Sequence, residues 1–148
     1  MTSNAARATT LMRALRAGLD GNASSIRELC TDDVTAWTPA LSASSISELT
    51  AEFERRDQAF SDIELEVAPL EVGGDYACAE WSVSMRHTGP LVLAGGEVVE
   101  PTGTRITLNG ATVAEFRGDR ICSLRQYWDE LAVFEQIGLM PDDDASPD

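Results

Sequence analysis

Apolar residues recur at helical spacing through the first part of the chain and predict three helices there. These helices are expected over 4–18, 23–30 and 44–60. In the first, Leu11, Leu15 and Leu19 lie one turn apart and form the stripe that a core-facing helix needs. In the third, Ser45 and Glu48 have the spacing of a capping box. The start of the chain is therefore predicted to be helical.

Period-two alternation predicts strands in the second half of the chain. Four long strands are expected over 63–72, 76–88, 104–116 and 121–128, after a short strand over 34–37. Glycine-containing turns at 73–75 and 117–120 make hairpins of the first and last pairs. A short closing helix begins at Asp129, whose carboxylate can cap it, and ends at Gly138. Helices, then an antiparallel meander, then a helix indicate an α+β fold with helices on one face of a curved sheet.

Length and charge narrow the class of protein. The 148 residues are expected to form one domain over 1–140, followed by an acidic, disordered tail at 141–148. The net charge of −14 disfavours binding to nucleic acid or to anionic membranes, and no apolar run has transmembrane length. All eleven basic residues are Arg, which is typical of a GC-rich bacterial gene and excludes lysine Schiff-base chemistry.

The three cysteines, at positions 30, 78 and 122, lie far apart and form no CxxC pair. They are predicted to be reduced thiols of a cytoplasmic protein, with no metal site and no cofactor.

Strand parity predicts which side chains share an interior face. Residues on the inward faces of the last three long strands are candidates for the wall of a ligand pocket, and Trp37 would add to an aromatic lining. These candidates are Trp81, Val83, Met85, His87, Leu108, Thr112, Leu124, Gln126 and Trp128. Ordinary core packing is the alternative interpretation of the same faces.

The segment from Phe116 to Gly138 resembles the C-terminal signature of the SnoaL-like polyketide cyclases. That family belongs to the nuclear-transport-factor-two-like superfamily, with limonene-epoxide hydrolase and ketosteroid isomerase. Further matching segments are 29–39, Trp81 with 87–90, and 101–103. The resemblance implies a cystatin-like cone with three N-terminal helices, a pocket for a small molecule, and a homodimer.

The same resemblance identifies a departure from the family at Gln126. Counting along the last strand, this position corresponds to the working acid of the cyclases and of limonene-epoxide hydrolase. A glutamine amide has no proton that titrates near neutral pH, so it can only donate and accept hydrogen bonds. Asp129 matches a second family Asp and is interpreted as a helix cap, with an acid role as the alternative. His87 is then the candidate for acid–base chemistry, with Gln126 orienting the substrate, and a structural histidine that hydrogen-bonds the neighbouring loop is the alternative.

Two functions follow as hypotheses. The first is a cofactor-independent cyclase, isomerase or hydratase that acts on a polyketide-like or other apolar secondary metabolite. The second is a non-catalytic ligand-binding or accessory domain that has lost the family's acid. Gln126 favours the second, and a His87 imidazole inside an open pocket would favour the first.

Overall fold

The computed structural model describes residues 3–56, 59–93 and 95–139, and its elements confirm the predicted α+β class. The helices are α1 (Asn4–Leu19), α2 (Ala23–Leu29), α3 (Ile46–Arg56) and α4 (Glu130–Gln136). The strands are β1 (Cys30–Trp37), β2 (Ser42–Ala43), β3 (Phe60–Leu70), β4 (Tyr76–His87), β5 (Leu91–Val92), β6 (Val98–Val99), β7 (Arg105–Arg117) and β8 (Arg120–Trp128). The tail predicted at 141–148 lies outside the described residues.

Six of these strands form one sheet in the order β2-β1-β8-β7-β4-β3. Neighbours are antiparallel except for β1 and β8, which run parallel. Helix α1 packs on β4 and β3, and α3 packs on β1, so the helices and the inward face of the sheet enclose the apolar core. Strands β5 and β6 pair with each other in a separate hairpin.

The boundary between α3 and β3 differs from the expectation. Phe60, predicted to end the third helix, is the first residue of β3 and pairs with His87. Asp62 has a positive φ of 53°, and the register of the β3–β4 ladder shifts around it. This bulge interrupts the period-two alternation, which is why the pattern placed the start of the strand at Ile63.

Two further differences concern short pairings that leave little periodic signal. β1 starts at Cys30, where it pairs with Ile121 of β8, although the pattern assigned Cys30 to the second helix. The segment over 89–103 was expected to be irregular, but Leu91 and Val99 pair within the β5–β6 hairpin. Strands of two residues are too short for alternation to be visible in a sequence.

A buried arginine in α1 holds two hairpin turns together. The Arg7 guanidinium donates to the carbonyl oxygens of Gly74 at 2.9 Å and Gly118 at 3.0 Å, and it pairs with the Asp75 carboxylate at 3.1 Å. Its carbon also lies 5.4 Å from the centre of the Phe116 ring. The first helix is thereby fixed to the β3–β4 and β7–β8 turns.

Helix α4 is attached to the sheet through a side-chain amide. Strand β8 pairs with β7 only as far as Trp128 opposite Gly110, so among the described residues the first part of β7 has no strand partner on that side. There, Gln136 accepts from the Thr107 N–H at 2.8 Å and donates to the Thr107 carbonyl at 2.9 Å. The amide therefore pairs with the strand as a peptide group of β8 would.

Candidate functional site

A cavity of about 120 Å³ lies between the helices and the inward face of the sheet. Its helical wall comes from α1 and α3, and consists of Ala14, Leu15, Gly18, Leu19 and Phe53. Strand β3 supplies Phe60, Ile63 and Leu65. These eight residues were not among those predicted to form the site. The leucine stripe of α1 and the apolar face of α3 gave a signal for inward-facing helices, but that signal does not distinguish cavity wall from core.

Six residues predicted to touch a ligand lie in the wall of this cavity. They are Trp81, Val83, Met85, Leu108, Gln126 and Trp128. Each belongs to the inward parity of its strand, so the alternation of β4, β7 and β8 placed them on the side where the cavity formed.

Trp81 is the most firmly positioned of these residues. Its indole Nε1 donates to the Thr112 hydroxyl at 2.9 Å in the interior, and its ring packs edge-on against Trp128 at 6.1 Å between centroids. Thr112 is fully buried but does not line the cavity, contrary to the expectation, because its hydroxyl is occupied by Trp81. Thr112 therefore contributes to the wall indirectly, by accepting the hydrogen bond that positions the Trp81 indole.

Leu124 also lies outside the lining. It is 3% exposed, pairs with Ala114 of β7, and belongs to the apolar core. Parity correctly put Leu124 on the inward face of β8, but it lies one pleat further from the cavity than Gln126. Parity fixes the face of a sheet and not the position along it.

Trp37 lies on the opposite face of the sheet from the cavity. Its side chain is 47% exposed and packs on Tyr127 at 5.4 Å between ring centroids. The residue before it, Ala36, is buried, so Trp37 takes the outward parity of β1. The expected aromatic lining therefore contains Trp81 and Trp128 without Trp37.

Gln126 contributes a side-chain amide to an otherwise apolar cavity wall. Within the described part of the chain, no hydrogen bond involves its side-chain amide. The other polar atoms of the wall, the indole nitrogens of Trp81 and Trp128, donate to Thr112 and Glu130. The amide is therefore free to bind a molecule in the cavity.

His87 lies beyond the cavity wall. Its side chain is fully buried at the end of β4, and its ring packs against Phe60 at 5.6 Å between centroids. Its Nδ1 is 3.0 Å from the Thr102 hydroxyl. Parity put His87 on the inward face, but His87 does not line the cavity, whereas the Phe60 ring packed against it does. An acid–base role for His87 stays a prediction.

Asp129 caps α4. Its backbone is extended, and its carboxylate accepts from the Ala132 N–H at 3.3 Å. The side chain is exposed and does not line the cavity. Its geometry is that of the helix cap expected from the sequence.

Other titratable groups are perturbed away from the cavity. Burial raises the pKa of the Cys30 thiol to about 12. Partial burial, reinforced by the Glu115 carboxylate, raises the pKa of Cys122. On the surface, a hydrogen bond from the Arg117 guanidinium lowers the pKa of Asp33. These shifts have structural causes and do not activate a nucleophile.

Among the described residues, no group of three or more His, Cys, Asp or Glu side chains is placed to bind a metal ion. None of the helices in the described ranges combines the length and apolarity needed to span a bilayer.

Comparison with known proteins gives a family and a fold. The family described as SnoaL-like polyketide cyclase matches residues 9–137. A proposed SnoaL-like polyketide cyclase from Jannaschia sp. CCS1 superposes with a TM-score of 0.78 at 19% identity, covering 93% of this chain and 94% of that one. TsrD from Streptomyces laurentii gives 0.79 at 20% identity, with 95% and 100% covered. An LEH-like epoxide hydrolase from M. tuberculosis gives 0.67 at 13% identity, with 90% of each chain covered. No curated protein matches the sequence.

Proposed function

The chain belongs to the SnoaL-like polyketide cyclase family, and we propose that it binds a small, mostly apolar organic molecule in its cavity through Gln126. One observation carries this proposal: an amide without a protein partner, among the described residues, in a wall of apolar side chains. An amide both donates and accepts, so it suits a carbonyl or hydroxyl group of the bound molecule. The apolar remainder would pack between Trp81 and Leu15.

A polyketide-like metabolite or a related bacterial secondary metabolite fits this description. Such molecules join carbonyl and hydroxyl groups to flat apolar skeletons, and the indoles of Trp81 and Trp128 offer aromatic surface for them. The proposed cyclase activity of the Jannaschia protein supports the same class of ligand.

Binding without side-chain acid–base catalysis is the function that the site supports best. The described cavity wall contains no carboxylate, imidazole or thiol. Asp129 is exposed and engaged in a helix cap, and the His87 ring packs against Phe60 and does not line the cavity. A ligand in the cavity would thus meet one polar group, Gln126, which does not titrate.

A second candidate is a cofactor-independent cyclisation or isomerisation assisted by the same amide. Both reactions build negative charge on a carbonyl oxygen of the substrate. A fixed N–H donor in a dry site stabilises that charge, as donors of an oxyanion hole do. The unpaired amide of Gln126 favours this candidate, with the proton moving between atoms of the substrate.

A homodimer and a cytoplasmic location complete the proposal. The outward face of the sheet carries a half-exposed aromatic pair, Trp37 and Tyr127, beside the polar side chains of Thr107, Asn109 and Arg125. An apolar centre with a polar rim suits a two-fold contact between identical faces. Light scattering at micromolar concentration should give twice the mass of one chain, and a mass near 15.9 kDa would remove the dimer from the proposal.

Tryptophan fluorescence can test binding directly. A Trp37→Phe background removes the indole outside the cavity and leaves Trp81 and Trp128 as reporters. Benzophenone and diphenylmethane are probes of nearly equal shape, and only the first has a carbonyl. We expect quenching by both, with tighter binding of benzophenone.

Gln126→Met is the matched variant, because it keeps the length of the side chain and removes the hydrogen bond. It should weaken benzophenone binding roughly three- to tenfold and leave diphenylmethane unchanged. The binding proposal is wrong if neither probe quenches the fluorescence. The assigned role of Gln126 is wrong if the variant binds both probes as the parent does.

A further inference from the structure

The hydrogen bonds of His87 determine where its proton lies. The backbone N–H of Thr102 donates to His87 Nδ1 at 3.3 Å, and the Thr102 hydroxyl is 3.0 Å from the same nitrogen. A backbone N–H can only donate, so Nδ1 must accept. In the neutral imidazole the proton is then on Nε2.

The Nε2–H group has no acceptor among the residues that the structure describes. It is completely buried. Buried donors in proteins are nearly always paired, so an unpaired one calls for a specific explanation. The two ring nitrogens point in different directions, and Nε2 therefore faces away from Thr102, on the interior side of β4.

The Phe60 ring contacts both the imidazole of His87 and the cavity. Phe60 pairs with His87 across the β3–β4 ladder, and its ring is tilted 40° against the imidazole at 5.6 Å. The same ring lines the cavity, together with Met85, the residue two positions before His87 on the same face of β4. Turning the Phe60 ring aside would join the cavity to the imidazole.

The size of the cavity gives a reason for such a movement. Sites for drug-sized molecules typically measure roughly 300–1,000 Å³, whereas this cavity measures about 120 Å³. A ligand longer than the cavity therefore requires part of the wall to move. Phe60 is only partly buried, so its side chain has less packing to lose than the buried residues of the wall.

We propose that a ligand longer than the cavity turns the Phe60 ring aside and accepts a hydrogen bond from His87 Nε2–H. This inference rests on the proposed function and specifies the chemical group at the end of the ligand that lies away from Gln126. There the molecule carries an acceptor oxygen, as an ether or a carbonyl, on an apolar skeleton. His87 donates through Nε2–H, because its Nδ1 accepts from the backbone N–H of Thr102.

The single histidine of the chain allows a direct test by nitrogen-15 NMR. The free protein should show the Nε2–H tautomer. The probes are para-methoxybenzophenone and para-ethylbenzophenone, which differ in the presence of an acceptor oxygen at one end. The methoxy compound should move the Hε2 proton downfield, as a new hydrogen bond does, and the ethyl compound should not. Equal spectra with the two probes, or an Hε2 already bonded to a buried water and unchanged by both, would overturn the proposal.

His87→Asn provides the matched variant. The Asn oxygen can take the place of Nδ1 and accept from Thr102, but the variant has no group in the place of Nε2–H. The preference for the methoxy over the ethyl probe, roughly three- to tenfold in the parent, should disappear, with benzophenone binding retained. Retention of the full preference would contradict the proposal.

Phe60→Ala should tighten binding of both para-substituted probes, because it removes the cavity-lining ring that packs against His87. Unchanged affinities would contradict the proposal. If benzophenone itself does not quench Trp81 and Trp128, the proposed function fails. If benzophenone binds and the methoxy and ethyl probes behave alike, only the role of His87 fails. The NMR comparison decides the matter if His87→Asn does not fold.

Discussion

The indole of Trp81 lies directly over Gly110, its partner across the β4–β7 ladder. A Cβ at position 110 would stand 2.5 Å from the indole Cη2 and 2.5 Å from the Tyr127 carbonyl oxygen. Only glycine leaves room for the ring at this place. The hydrogen bond to Thr112 and the space above Gly110 together fix Trp81 as a flat wall of the cavity.

Gly110→Ala should therefore displace Trp81 and destabilise the protein by about 1–3 kcal/mol, as overpacking of a core does. Urea unfolding measures the loss, and near-ultraviolet circular dichroism reports the changed indole environment. Gly73→Ala is the control, since a Cβ there meets nothing within 4 Å. Equal stabilities of the two variants would show that Trp81 has room to move.

Gln126→Glu should make stability depend on pH. Apolar surroundings raise the pKa of the introduced carboxyl above its unfolded value of about 4.3. The folded variant then binds more protons than the unfolded chain at pH values between the two pKa values. Its stability should match that of Gln126→Met below about pH 4.3 and decrease as the pH rises. Chemical unfolding at a series of pH values measures the free energy of unfolding of the two variants. If this free energy depends on pH in the same way in both, position 126 is in contact with water.

Cys30 should be the least reactive thiol. It is 1% exposed, and burial raises its pKa to about 12, so little thiolate forms in the folded protein. In the unfolded chain the thiol ionises near 9.0. Its contribution to stability is thus complete below that pH and decreases as the pH rises towards 12. Mass spectrometry after iodoacetamide treatment at pH 8 should find Cys78 and Cys122 alkylated before Cys30. Early labelling of Cys30 would contradict its burial.

Arg7→Met should cost about 2–4 kcal/mol, because it leaves the Gly74 and Gly118 carbonyls without their charged donor. Arg13→Met is the control on the same helix. Arg13 is exposed and makes no hydrogen bond or ion pair with the described residues, so its loss should stay within about 0.5 kcal/mol. The denaturant midpoints of the two variants are compared. Similar midpoints would show that Arg7 does not stabilise the protein by holding the two hairpin turns together.

Asp129→Ala should cost about 1 kcal/mol through loss of the α4 cap and leave binding in the cavity intact. Glu135→Ala, on an exposed position of the same helix, should change stability much less. Thermal unfolding and benzophenone titration are the measurements. A variant that is as stable as the parent but no longer binds benzophenone would assign Asp129 a direct role at the site.

Strand parity made much of the sheet wall predictable, because alternation commits every second residue to one face. It placed Trp81 and Gln126 correctly, and it also gave His87 its inward direction. It could not show that Phe60 packs against His87, since that contact depends on the pairing of β3 with β4, whose register shifts at Asp62.

Trp37 shows a second limit of the same kind. Its strand is short in the sequence pattern, and its outward parity follows from parallel pairing with β8, which no local signal encodes. The helical side of the cavity stayed unassigned because residues such as Leu15 and Phe53 have the periodicity of any core-facing helix.

The amide pairing of Gln136 with Thr107 has a consequence for solubility. A strand whose N–H and C=O groups are open at one edge can recruit a strand from another molecule and start an aggregate. Here the edge of β7 beyond the end of β8 is covered by a single side chain on a helix of seven residues. Fraying of that helix would uncover the edge of β7, so the last turn of α4 also protects the folded protein from aggregation through this edge.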